Sequence, residues 1–221
     1  MDILVGGMTS SLNVLYNISA SFGFPNYGVA IILLTILIKT IIYPLTYKQM
    51  VSLQKTVDLQ PKIKAIQEKY KNNKEKANIA IMELYKKHKI NPMGGCLPIL
   101  IQLPIFYALY KTLIDFPYES ISAATFLYFD LTKAYGFTMS YHLILPIFAA
   151  LTTYLQTKLT NPNTSDPTQK TMLYFMPVFF AYICVTVPAG LALYWVTMNV
   201  VSIFQQLYIN RKLASQSKIA A

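Results

Sequence analysis

Charge is scarce in this sequence. Only 13% of its 221 residues are charged, against about 25% in a soluble domain. That shortage argues against an ordinary soluble enzyme and a disordered chain. Two cysteines, Cys96 and Cys184, are too few for a disulfide scaffold. They fall in separate apolar runs, expected near opposite faces of a bilayer about 30 Å thick. A disulfide needs Cα atoms within about 7 Å, so both are expected as free, buried thiols. The two histidines, His88 and His142, have no metal-ligand spacing around them. No glycine-rich phosphate-binding string occurs. No nucleophile with a nearby base falls within the apolar runs. No enzyme activity, metal or cofactor is therefore expected. Residues 1–25 contain no Lys or Arg, so no signal peptide is assigned. They also hold no cysteine to acylate.

What is present is apolar sequence in long runs. Hydrophobic residues make up 54% of the chain, and the runs alternate with polar stretches as in a polytopic membrane protein. The expected fold is all-α, with five transmembrane helices at about 27–47, 96–116, 140–157, 171–187 and 191–209. An outer loop covers 117–139, and residues 188–190 are short enough only for a tight turn. Leu12, Leu15, Ile18, Ser19 and Phe22 follow helical spacing. They indicate an interfacial amphipathic helix within residues 1–25, with a flexible lead-in as the alternative. Residues 211–221 form a short basic tail.

Residues 48–90 read as a cytoplasmic helical hairpin. Met50, Leu53 and Val57, then Ile63, Ile66 and Tyr70, lie at helical spacing. Pro61 kinks or restarts the first helix. Asn72, Asn73 and Lys74 signal the turn, and Ile79, Met82 and Tyr85 mark the second helix.

The net charge of +10 invites a nucleic-acid reading. The positions of the charges argue for topology instead. Eleven lysines lie between Lys48 and Lys89. Sixteen of the nineteen basic residues fall in the segments assigned inside, and one, Lys133, outside. This is the positive-inside pattern of an N-out, C-in chain. DNA is not an expected partner. An anionic lipid surface and ribosomal RNA stay open.

Lys39 is the most informative residue. It sits near mid-depth of the first span, where a lysine costs roughly 2.5–3.5 kcal/mol on translocon scales. No acidic residue of similar depth is available, since Asp115 falls near the outer face. A lysine that keeps its charge there needs water, which implies a wet cavity between helices. Snorkelling to an interface is the alternative. Thr35, Lys39 and Thr46 share one helical face, as do Thr152 and Gln156 in the third span. In the fifth span, Trp195, Asn199, Ser202 and Gln206 do the same, and Gln102 is a lone amide in the second. Each has a plainer reading as hydrogen-bonding glue between spans. Together they suggest a shared hydrophilic cavity. Ionic chemistry at Lys39 leaves a second reading, a small anion channel or transporter. No inverted repeat of the transporter kind is visible.

Several strings then bear on function. Asn26-Tyr27-Gly28 enters the first span and Tyr43-Pro44-Leu45-Thr46 closes it. Leu59-Gln60-Pro61-Lys62 lies in the hairpin. Asn91-Pro92-Met93-Gly94-Gly95-Cys96-Leu97-Pro98 and Gln102-Leu103-Pro104-Ile105-Phe106 form the second span. Met176-Pro177, Pro188-Ala189-Gly190-Leu191 and Leu193-Tyr194-Trp195 follow. In this order the chain, over about residues 22–210, resembles the YidC/Oxa/Alb family of membrane protein insertases.

The resemblance implies a five-helix core around a hydrophilic groove that opens to the cytoplasm and to lipid. Lys39 stands where the family usually has arginine, and would attract acidic client tails without arginine's planar fork. Thr35, Gln102, Gln156, Trp195, Asn199 and Ser202 would line the client-binding groove. Lys62, Lys64, Lys69 and Lys71 would contact cytoplasmic partners. The partners implied are nascent membrane proteins, the ribosome, signal-recognition targeting factors, the Sec translocon and anionic lipids. The location implied is a bacterial plasma membrane. The form expected is the short one, without a large extracytoplasmic domain or a long basic tail.

Overall fold

The computed structural model describes residues 2–88, 97–118, 120–137, 141–160 and 167–219. The fold is all-α apart from one small β-hairpin. The 91–96 string and the centre of the 158–170 loop lie outside the described residues.

Helix α1 covers Asp2–Ser21. Its inward stripe is Met8, Leu12, Tyr16 and Ser19. Of the residues that mark the expected apolar face, Leu12 and Ser19 turn inward and Ile18 and Phe22 stay exposed. The inward side packs on α2 and α6. The Val5 carbonyl accepts from the Thr112 hydroxyl at 3.4 Å. Tyr16 stacks on Tyr27 at 4.1 Å, and Tyr27 meets Phe116 edge-on.

Helix α2, Tyr27–Ile41, starts where the Asn26 side chain accepts from the Gly28 amide. The sequence suggested one continuous span to residue 47. The helix instead bends by 65° into α3, Tyr43–Asp58. Pro44, in the first turn of α3, has no N–H to give the Thr40 carbonyl, and its ring clashes there in a straight helix. The bend puts Thr46 on a new axis, so it no longer shares a face with Thr35 and Lys39. Among the described residues, no single helix is long and apolar enough to cross a membrane; α2 and α3 together are.

Pro61 restarts the chain as α4, Gln60–Lys69. Asn73 caps α5, Lys74–Lys87, by accepting from the Lys76 amide at 2.9 Å. Helices α4 and α5 pack on each other. Helix α6 is Leu97–Asp115, with Pro104 inside it. Strands β1, Thr125–Phe126, and β2, Phe129–Asp130, form an antiparallel hairpin within the expected outer loop. A short 3-10 turn leads to α7, Ile144–Thr160. Helix α8 is Pro167–Thr186. Helix α9, Ala189–Ile219, runs through the expected tail. Nothing in residues 210–219 stops a helix, since Gly and Pro are both missing there.

Helices α7, α8 and α9 pack together, and α2 packs on α9. The core between α1, α2, α6 and α9 holds Leu12, Tyr27, Ile31, Leu109, Leu113, Leu131 and Tyr194. The hairpin closes the end where α2 and α9 begin. The Tyr27 amide donates to the Ala123 carbonyl, and the Gly190 amide to the Leu131 carbonyl. A Cβ on Gly28 would fall 2.4 Å from the Phe126 ring, so only glycine admits this approach.

Candidate functional site

Lys39 lies in the last turn of α2 and is only 8% exposed. The ion pairs found among the described residues are Lys111–Asp115 at 3.6 Å and Lys133–Asp130 at 2.9 Å. No described carboxylate therefore neutralises Lys39. Thr35, one turn earlier, is fully buried, and its hydroxyl donates to the Ile31 carbonyl at 2.7 Å. That bond uses the donor and leaves the oxygen lone pairs as acceptors.

A polar seam runs between α7 and α9. The Asn199 side-chain amide donates to Thr153 at 2.8 Å and to Thr152 at 3.2 Å. The Trp195 indole N–H donates to the same Thr153 hydroxyl at 3.2 Å. The Trp195 ring stacks on Phe180 at 3.8 Å and meets Phe106 edge-on. Thr152 donates back to the Phe148 carbonyl, and Ser202 to the Met198 carbonyl. Asn199, Ser202 and Gln206 are buried on α9. Across the bundle, the Gln102 amide donates to the Tyr194 hydroxyl at 2.6 Å.

Further along α9, Gln206 donates to Asn210 at 2.8 Å. Its carbonyl oxygen is buried without a protein partner, and so is the amide nitrogen of Gln49 on α3. Burying such groups unpaired costs about 1–3 kcal/mol each. A polar or wet surrounding removes that cost.

The structure brings together part of the set read from sequence. Trp195 and Asn199 join through α7, and Gln102 reaches α9. Gln156 is half-buried one turn past Thr152 and takes no part in the hydrogen-bonded cluster. Thr153 and Tyr194 were not singled out. Their signals were present as the Thr152-Thr153 pair and the Leu193-Tyr194-Trp195 string. Gln49 had no signal, because its burial arises from the bend before α3.

Lys62, Lys69 and Lys71 are exposed and Lys64 is half-buried, on α4 and the turn after it. The Lys212 ammonium, on the α9 extension, lies 5.4 Å from the Tyr47 ring centroid and ties α9 to α3. At the opposite end, burial works to raise the Asp130 carboxyl. Hydrogen bonds from Thr132 and Lys133 outweigh it and hold the carboxyl below its usual range. The same bond raises the Lys133 ammonium. Among the described residues, no group of three or more His, Cys, Asp or Glu is placed to hold a metal ion.

The bent helix, the polar seam and a buried lysine with no carboxylate partner among the described residues describe a helical bundle with polar groups inside it. The model of the 60Kd inner membrane protein family matches residues 18–216. The chain belongs to that family, the YidC/Oxa/Alb insertase family, and with it to a bacterial membrane. Among its relatives are proteins named membrane protein insertase YidC. The one from Wolinella succinogenes is 47% identical over 197 residues, which is 89% of this chain and 36% of the relative. That from Geobacter sulfurreducens is 44% identical over 190 residues, 86% of this chain and 35% of the relative. That from Helicobacter pylori is 41% identical over 196 residues, 89% and 35%. A crystal structure of an active YidC insertase, with its first transmembrane domain resolved, superposes with a TM-score of 0.71 at 29% identity. It is matched over 91% of this chain and 45% of that one. The chain spans about a third of the length of these curated relatives.

Proposed function

We propose that this chain is a non-enzymatic insertase core that helps new proteins enter the bacterial plasma membrane. It crosses the membrane five times, N-out and C-in, with α4 and α5 as a cytoplasmic hairpin and α1 in the outer interface. The exposed apolar side chains Ile3, Val14 and Ile18 of α1 support the last point. The observation that carries the functional reading is Lys39, a buried ammonium without a carboxylate partner among the described residues.

An ammonium so placed, one turn from the buried Thr35, suits a transient grip on an acidic client tail. In this reading Thr35, Gln102, Gln156, Trp195, Asn199 and Ser202 line the groove and solvate that tail partway across. The hydrocarbon barrier is shortened by the same distance. The membrane potential then draws an acidic tail outward by about 2.3 kcal/mol per charge per 100 mV. The client's apolar segment leaves sideways into lipid. Lys62, Lys64, Lys69 and Lys71 offer a basic surface to the ribosome, targeting factors or anionic headgroups. The Sec translocon is a further partner of this reading.

The test is protease-protected insertion of a single-span client with an acidic N-terminal tail. Proteoliposomes would hold this protein or its Lys39→Ala variant. Insertion that requires the protein and falls with Lys39→Ala supports both the function and the role of the charge. Insertion no better than in empty liposomes, with purified targeting factors and translocon added, overturns the insertase reading.

A further inference from the structure

The two residues at the tip of the outer hairpin are unusual for a turn. Leu127 and Tyr128 both have positive φ, 46° and 72°. Two-residue hairpin turns of this kind normally take Asn, Asp or Gly there, because larger L-residues are disfavoured. Both side chains also point away from the protein, 69% and 84% exposed.

The tip cannot retract. The Asn26 side-chain amide donates to the Thr125 carbonyl at 2.7 Å, and Phe126 packs on Gly28. The Leu131 amide donates to the Ala124 carbonyl at 2.9 Å. The tip also has apolar company. Ile121, in the loop that leads into β1, is 78% exposed, and Phe22 and Phe24, in the turn that Asn26 ties to β1, are exposed as well. Five large apolar side chains are thus held outward at one end of the bundle. Among the described residues of this loop the charges, Asp130 and Lys133, pair with each other.

We propose that this surface is seated in the headgroup region of the outer leaflet, with Leu127 and Tyr128 as its anchor. The inference rests on the membrane-embedded reading above. Three observations favour lipid over a protein partner. The surface lies at the level where α2 and α9 begin and α6 ends, which is where the apolar helices meet the interface. It continues toward α1, whose outward side chains Ile3, Val14 and Ile18 are exposed and apolar. Its chemistry is that of an interfacial belt: aliphatic and aromatic bodies, with a phenol hydroxyl able to reach water or a headgroup. A rigid anchor here sets how deep the closed end of the core sits, and so how much hydrocarbon lies outside the seam.

The experiment is depth-resolved fluorescence quenching in liposomes of phosphatidylcholine and phosphatidylglycerol. Trp195 is the sole native tryptophan, so Trp195→Phe gives a silent background. Tyr128→Trp reports the tip, Lys133→Trp an aqueous position, and Leu151→Trp an exposed position within α7. The expected result is at least twofold stronger quenching of Tyr128→Trp than of Lys133→Trp by lipids brominated near the ester end. Acrylamide should act in the reverse order. Free quenching of Tyr128→Trp by acrylamide overturns the proposal. So does protection from both quenchers, which means that protein covers the tip. Quenching of Leu151→Trp by deeply brominated lipid keeps the embedding reading intact in either case. Its failure removes both. The unmodified chain offers a second route: a photoreactive group on the lipid headgroup should label the peptide holding residues 121–128. Labelling confined to other peptides also overturns the proposal.

Discussion

Asn199 on α9 donates its side-chain amide to the Thr153 hydroxyl on α7 at 2.8 Å. That bond joins two helices, and the Trp195 indole shares the same acceptor. Thr153→Val keeps the shape and removes the acceptor. Two buried or half-buried donors then lose their partner, although Thr152 still serves Asn199. The expected loss is about 1–3 kcal/mol of stability, read as a lower melting temperature in detergent. Thr153→Ser should retain most of it. Equal stability of the valine and serine variants would contradict the bond's importance.

Charge at Lys39 should matter in proportion to client charge. A hydrogen bond to a charged group contributes about 1.5–3 kcal/mol, which is roughly tenfold or more in occupancy. Lys39→Gln should therefore reduce insertion of an acidic-tailed client by about tenfold and leave a neutral-tailed client nearly unchanged. Lys39→Arg should keep both. Equal losses for the two clients, measured by protease protection, would reassign Lys39 to packing.

Gly28→Ala should loosen the outer cap. The added methyl would sit 2.4 Å from the Phe126 ring, so the hairpin has to shift. Overpacking of this kind costs about 1–3 kcal/mol. Phe126→Gly takes away both the ring and the Cβ, which lies 2.5 Å from the added methyl, so Gly28→Ala should cost much less in that background than in the wild type. An equal cost of Gly28→Ala in the two backgrounds would refute the steric account.

Acid should weaken the cap through Asp130. Its folded carboxyl is held below the usual range by Thr132 and Lys133, against its burial. The stabilisation is thus fully present above the unfolded value, about 3.9, and is lost as pH falls through the folded value. Wild type should lose more stability than Asp130→Asn on titration from pH 6 to pH 3. Parallel melting curves would rule the ion pair out as a pH-sensitive element.

Local chemistry made part of the structure legible in advance. Pro61 restarts a helix because a residue without an N–H fits only a first turn. Asn73 caps α5 through its own side chain. The chain turns from α8 into α9 at Val187 and Pro188. Lys39 stood out because an ammonium in an apolar run is costly wherever the run folds. These signals act within a few residues, and the ordered strings around them were enough to indicate the family.

Other features depended on contacts far apart in the chain. The inward face of α1, with Met8, Leu12, Tyr16 and Ser19, is set by its packing on α2 and α6. The partners of Asn199 lie 46 and 47 positions away, and periodicity along one helix cannot say which neighbour it will meet. Pro44 marked a break in the first span, but the 65° angle that separates Lys39 from Thr46 is read only from the structure. Sequence alone determined the helical class, the family and the residue with the costly charge, because propensity and polarity are local. Only the tertiary structure decided which polar groups pair, which face is buried and where the outer hairpin is pinned, because those depend on distances between segments that sequence leaves open.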